Sequence, residues 1–439
     1  MTGAYFTRLA AVSVVAALMG AIILKPQAGP RYAEKAASLK PAPQPVASKT
    51  CSAGEPVLTG AFAPIDDVLS ISPLGGVTAP GEVLPAPTIR VNTRQGETVF
   101  DRRITKALAP ATAEITAVER FATRDDEGVV NSVRWKIHFS PCTKVQLFFD
   151  DLDTITPSIL SSIGGLAAFE ELGGPDHLAI KTSIRVKRGD VIGEADGFDV
   201  GLVDEQATPI SVARPERYAP SPYAHATAIQ ASADTLKAVS VDPSKARCPL
   251  DYLPASLASA WSAKLGDAWG MRRAKGNDAC RTAIVDMPGT AQGAWFTDAS
   301  HNSVTDKVSA VALAPDAVDP SRQIFALHGR LKSLSADFVG LNPRLEEERK
   351  KAAQDFLTFE AGTGRINTPF MLVKEHEIAC YQGLRANFVG PRINAVVLVQ
   401  TVEENGATLM KMEARGDVLS CIDLPEPWAF TGNETTFYR

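Results

Sequence analysis

The chain has 439 residues, 45% hydrophobic and 22% charged, a balance that fits a globular protein of two or three domains, because single cores stop growing beyond about 250 residues. The formal net charge of −5 at pH 7, with no long Lys/Arg stripe on any candidate element, argues against nucleic acid as a partner.

In chain order, Arg8 precedes an apolar run over residues 9–24 that Lys25 closes. The run falls between a secretory core and a membrane helix of about 20 residues. No small-x-small cleavage site or lipobox cysteine follows, so residues 1–25 read as a signal anchor in preference to a removed signal peptide, giving contact with the membrane. Lys25, Arg31 and Lys35 after the run outnumber Arg8 before it, and a strict charge count would leave the body in the cytoplasm. The six cysteines argue the other way. An even number with no C-x-x-C spacing favours an oxidising compartment, and the expected location is periplasmic or extracytoplasmic, tethered to the inner membrane or secreted. Neighbours could pair as Cys51 with Cys142, Cys248 with Cys280 and Cys380 with Cys421, although sequence does not choose among the possible connectivities.

Residues 26–56, with Pro26, Pro30, Pro41, Pro43 and Pro45, read as a semi-rigid extended tether. Strand signals then define a domain over 57–213. Val133, Trp135, Ile137 and Phe139 alternate with Arg134, Lys136 and His138, as in a half-buried strand. The neighbouring 145–149 alternates too, and Ser140-Pro141-Cys142-Thr143 between them has turn composition. Lys187-Arg188-Gly189-Asp190 reads as a tight turn with Gly189 suited to positive φ. A linker over 214–245 leads to a second domain over 246–439. There a helix is expected at 254–265, extended chain at 277–290, and strands at 322–329 and 393–401. A further strand at 407–414 follows the Asn405-Gly406 turn. Residues 342–359 carry Leu345, Ala352, Phe356 and Phe359 among many charges, a solvated helix whose 346–351 charge run faces water. No internal repeat is evident.

Several blocks of the first domain share a family pattern: Pro85-Ala86-Pro87-Thr88-Ile89-Arg90-Val91-Asn92, the small-residue stretch from Ala109 to Ile115, Phe149-Asp150-Asp151-Leu152, Val186-Lys187-Arg188-Gly189-Asp190-Val191-Ile192-Gly193, and Phe198-Asp199-Val200-Gly201-Leu202-Val203-Asp204. Together, residues 73–204 resemble the β-barrel of lysostaphin-type (LytM-like) zinc endopeptidases, the duplicated hybrid motif family, which cleave peptide cross-links of bacterial cell walls. The resemblance implies a mainly β fold, a lysostaphin-type barrel followed by a second β-rich domain with a few helices. It covers about a third of the chain and lies in the scaffold. Thr88 stands where the family has its first zinc histidine, Asp151 where a strand ends in Gly-His, and Gly201 within the segment that replaces a His-x-His pair. The second domain resembles one found beside such degenerate barrels in bacterial envelope proteins, carried by Cys248-Pro249-Leu250-Asp251-Tyr252, residues 288–296 and Cys380-Tyr381; it supplies architecture and no activity.

A catalytic zinc needs about three protein ligands, mostly imidazole nitrogens. His138, His177, His225, His301, His328 and His376 include no His-x-His and no His-x-x-x-Asp, and read as surface or satisfied core histidines. No catalytic residue, zinc or other cofactor is therefore expected. Asp150, Asp151, Asp153 and Asp199, with Asp196, are candidates for a polar groove; calcium held by their oxygens is weighed against separately solvated turn carboxylates, which the pattern favours. A His376–Cys380 nucleophile pair fails if Cys380 is bonded. Gly289 to Gly293 matches no phosphate loop, and Trp295-Phe296 reads as core in preference to a sugar platform. The expected function is a non-catalytic binding or scaffolding protein of the cell envelope that contacts peptidoglycan or an envelope protein. The alternatives are a divergent metal-dependent peptidoglycan endopeptidase using Asp151 and Asp199, and a structural spacer.

Overall fold

The structure, a computed structural model, describes residues 50–51, 56–77, 86–96, 102–124, 130–171, 177–214, 239–276, 279–280, 286–299, 310–328, 354–386, 392–416 and 418–439. The anchor and most of the tether lie outside these residues, as do His225 and His301. Among the described residues no helix is long and apolar enough to cross a membrane.

The protein is mainly β. Its first part contributes β1 (Val68–Ser72), β2 (Ile89–Thr93), β3 (Thr105–Leu108), β4 (Ala113–Arg124), β5 (Val130–Cys142), β6 (Val145–Leu152), β7 (Thr154–Ile155), β8 (His177–Val186), β9 (Val191–Ala195), β10 (Gly197–Asp204) and β11 (Ala246–Arg247). Seven of these run in the order β1-β2-β10-β6-β5-β4-β8, and β11 adds to β10. All pairings are antiparallel, and the eight strands form a nearly closed barrel. A small β3-β9-β7 sheet accompanies them.

Period-2 alternation sends Trp135, Ile137 and Phe139 of β5 into the barrel core with Phe149, Phe198 and Val200. The β5–β6 connection is tighter than its composition suggests. Ser140 and Pro141 remain in β5, beside a register irregularity between Phe139 and Cys142, and the chain reverses at Thr143-Lys144 with Lys144 at φ 68°. A bulge is one of the few places a strand accepts proline. The 187–190 turn forms as expected, with Gly189 at φ 86°.

The barrel core extends beyond β11. Cys248, Leu250, Leu253, Leu265 and Cys280 belong to it, as does Trp261 of a short helix (Ala255–Ser262), which meets Phe62 edge-on with ring centroids 4.9 Å apart. Part of the polypeptide assigned by sequence to the second domain thus completes the first core.

The second sheet contains β12 (Gly293–Phe296), β13 (Ala310–Pro315), β14 (Arg322–His328), β15 (Gln354–Glu360), β16 (Ala379–Tyr381), β17 (Arg385–Ala386), β18 (Val396–Glu404), β19 (Ala407–Arg415) and β20 (Thr435–Tyr438), ordered β16-β18-β19-β20-β12-β13-β14-β15-β17. Phe325, Phe359, Phe370 and Tyr381 cluster on one face. Trp295 and Phe296 are fully buried, so the core reading of that pair holds. Asn405 and Gly406 both take positive φ, 54° and 77°, and close the β18–β19 hairpin.

Two expectations fail over the part of their residues that is described. The described part of the 342–359 helix is strand: β15 pairs with β14 at seven consecutive positions, and Leu357 and Phe359 alternate into the core. Sheet pairing and burial override the helical spacing that Phe356 and Phe359 suggested. Within 277–290 no described residue is strand; Met287 donates its N–H to Gln292 O at 3.0 Å across a turn in which Gly289 has φ 71°.

Candidate functional site

The alternation that fills the barrel core also decides what lies on its outer face. Inward placement of Ile89, Val91, Phe198, Val200, Phe149 and Ile137 leaves Arg90, Asp199, Asp150 and Lys136 facing outward from four neighbouring strands. Register sets Arg90 of β2 opposite Asp199 of β10, and Asp199 opposite Asp150 of β6. On the other side of β5, Lys136 stands opposite Glu119 of β4. A band of charge therefore crosses the sheet, with two adjacent aspartates, Asp199 and Asp150, flanked by Arg90 and Lys136.

Its contacts are close. Arg90 donates to Asp151 at 2.8 Å and to Asp199 at 3.3 Å. Arg134 reaches Asp151 at 3.3 Å and pairs with Asp153, which also accepts the Asp196 N–H at 3.0 Å. Lys136 lies 2.9 Å from Asp150 and 4.5 Å from the Phe148 ring centroid. Asp151 itself has φ 62°, a backbone state in which Asp is among the better-tolerated residues.

The band ends in a buried cluster that sequence reasoning did not single out. Glu119, 1% exposed, accepts from or shares a proton with His138 through one oxygen and with His177 through the other, the latter at 2.7 Å. His177 stacks on Phe121 with centroids 3.9 Å apart. Alternation placed His138 correctly on the face of Arg134 and Lys136. Its burial was not legible from alternation alone; its ring lies 5.9 Å from that of Phe148, which in turn packs with Val203 and Val241. The only local signal was a glutamate within the otherwise β-prone 113–124 stretch.

Electrostatics follow from this packing. Burial pushes the Asp199 carboxyl up to about 7, opposed by Arg90 and reinforced by Asp150 and Asp151. Burial would also raise Glu119, but His138, His177 and Lys136 overcome it and hold the carboxyl well below the usual range. Arg90 and Lys136 rise despite burial, held by the aspartates around them.

Thr88, Asp151 and Gly201, the positions at which zinc ligands were expected to be replaced, fall on or beside neighbouring strands. Thr88 precedes Ile89, the partner of Val200, and so lies next to Gly201 across the β2–β10 pair. They do not form a ligand set. Gly201 has no side chain, and a Cβ there would lie 2.0 Å from Cζ of Phe148, so that ring already occupies the space. Asp151 is committed to two guanidiniums, and Asp150, Asp153 and Asp199 each face a cation. Among the described residues no group of three or more His, Cys, Asp or Glu side chains could hold a metal ion. The residues present do not fit zinc, and the four carboxylates are neutralised by Arg and Lys rather than disposed around a cation. His376 is exposed at φ 62°, and Cys380 is bonded to Cys421. That bond leaves no thiol for nucleophilic chemistry.

Three disulfides link Cys51 to Cys142, Cys248 to Cys280 and Cys380 to Cys421. Comparison with known proteins gives no match to a family model, a curated protein or a solved structure.

Proposed function

We propose that this is a non-catalytic binding or scaffolding protein of the cell envelope, built on a degenerate lysostaphin-type barrel and contacting peptidoglycan or an envelope protein. The observation that carries the reading is the state of the zinc-ligand positions. Asp151 is held by Arg90 and Arg134, and Gly201 is covered by Phe148, an arrangement with no open coordination position for an activated water. The resemblance draws further support from the placement of its blocks on the neighbouring barrel strands β2, β10 and β6, with one more block reaching β9 of the small sheet. The disulfides suit an oxidising compartment.

Co-sedimentation of the purified chain with isolated peptidoglycan sacculi tests this, with released muropeptides analysed in the same tubes. Binding without release is the expected result. Zinc-dependent muropeptide release would establish the endopeptidase alternative instead. Failure to sediment would remove peptidoglycan and leave an envelope protein as the partner to be captured by crosslinking.

A further inference from the structure

A tight turn beside β1 carries an apolar tip. Gly266 is bridged antiparallel to Arg273, and the Asp267 N–H donates to Arg272 O at 3.0 Å. Within this short hairpin Asp267 O accepts the Gly270 N–H at 3.0 Å, Asp267 Oδ1 accepts the Met271 N–H at 2.8 Å, and Gly270 takes φ 67°. A Cβ at Gly270 would lie 3.2 Å from Cγ of Leu69, so the turn rests on β1. Trp269 and Met271, on either side of that glycine, are 49% and 71% exposed, while the other four tryptophans, Trp135, Trp261, Trp295 and Trp428, are buried. Polar residues would serve a turn so fully hydrogen-bonded. The exposed Trp and Met are therefore not explained by the fold.

Arg102 ties this tip to the chain between β2 and β3. It donates to Ala268 O at 3.0 Å and to Thr93 O at 2.9 Å, and its guanidinium lies 4.8 Å from the Trp269 ring centroid. Ile104, two residues on, is 65% exposed. Three large apolar side chains thus belong to one edge of the barrel.

The same edge is basic. The Arg103 N–H donates to Arg94 O at 2.9 Å, and Arg273 donates to Ala263 O at 2.8 Å. All three arginines are exposed, and none has a carboxylate partner among the described residues. Lys264, which donates to Val68 O at 2.9 Å, is pushed below the usual lysine value by its partial burial first and then by Arg94 and Arg273, with Asp66 opposing; the cations gather around one point. Of the other nearby acids, Asp67 is taken up by Thr105, and Asp267 by Met271 and Arg272.

Nucleic acid would use the arginines and leave Ile104 and Met271 in water. An apolar protein surface would cover the tip and bury cations without partners, which is costly. A bilayer with anionic headgroups meets both needs, because indole rings settle at headgroup level and arginines pair with the lipid phosphates. We propose that the edge formed by Ile104, Trp269 and Met271, flanked by Arg94, Arg103 and Arg273, docks the folded protein on an anionic lipid bilayer. This contact is separate from the apolar run at residues 9–24 and does not depend on the peptidoglycan reading.

Tryptophan quenching by brominated acyl chains separates the two contacts. The full chain is reconstituted into phosphatidylcholine vesicles with or without phosphatidylglycerol, and only chain that floats with the vesicles is measured. Quenching is expected with phosphatidylglycerol, with a decrease in high salt, and Trp269→Phe should abolish it. Each cation near an anionic surface is worth about fivefold in partition, so the combined Arg94→Gln, Arg103→Gln, Arg273→Gln variant should fall to the level seen in phosphatidylcholine alone. Lys144→Gln should behave as the unaltered chain does: it lies beside the Asp204 end of β10, whereas Arg94 lies beyond the Gly197 end. Thermal melts establish that each variant is folded. The proposal is overturned if phosphatidylglycerol vesicles give no quenching, if phosphatidylcholine alone quenches equally, or if the folded arginine variant is quenched like the unaltered chain.

Discussion

At the scale of single residues, the outer band sets stability through geometry and protons. Gly201 is required by Phe148, whose Cζ would lie 2.0 Å from a Cβ at that position. Gly201→Ala should destabilise the protein by about 1–3 kcal/mol, the usual cost of overpacking, read as a lowered urea midpoint. The two perturbed carboxyls act in opposite directions with pH. Glu119 titrates near 4.5 when unfolded and lower when folded, so its contribution is complete above pH 4.5 and is lost as pH falls through the folded value. Asp199 titrates near 3.8 when unfolded and at about 7 when folded. The stabilisation from its folded-state proton is fully present below pH 3.8 and is lost as pH rises through about 7. Denaturation across pH 3 to 8 should therefore show Glu119→Gln flattening the acid limb and Asp199→Asn flattening the decline towards neutrality. Unchanged slopes in both variants would show that other groups control the profile.

At the scale of elements, what could be read from sequence was what local alternation controls. The Trp135-Ile137-Phe139 face, the Gly189 turn and the Asn405-Gly406 hairpin all follow from neighbours within a few residues. The 354–360 strand was missed because its state is imposed by pairing with β14, more than twenty-five residues earlier in the chain. The band itself was half legible. Its aspartates were picked out as a group, while Arg134, which helps neutralise them, was seen only as an outward residue and Arg90 only as part of the 85–92 block, since register across β2, β10, β6 and β5 is not a local property. Long-range packing also explains the reach of the barrel core into 248–280. Trp261 is the anchor of that segment, 1% exposed against Phe62. Trp261→Ala should remove about 3–5 kcal/mol and increase amide exchange in both the Ala255–Ser262 helix and the 58–63 segment. Loss confined to the helix would mean that the segment is an appendage and not part of the core.

At the scale of the whole molecule, the disulfides bear on where the protein can exist. Their bonds span sequence separations of 91, 32 and 41 residues, and loop-closure entropy assigns roughly 3.5–5 kcal/mol to each, with the longest loop contributing most. Summed, this is on the order of 10 kcal/mol, comparable with the entire stability of a typical domain. A compartment that kept the thiols reduced would therefore remove a large share of what holds the fold together. The expected outcome is a large fall in melting temperature when the purified protein is reduced, with Cys51→Ser/Cys142→Ser costing more than either of the other paired replacements. Melting curves with and without reductant, and for the three double variants, measure both effects. If reduction left the melting temperature unchanged, the bonds would be incidental to stability and the argument for an oxidising compartment would lose its physical basis. A large fall would make an oxidising environment a condition of stable folding, because the thiols alone would not hold the fold.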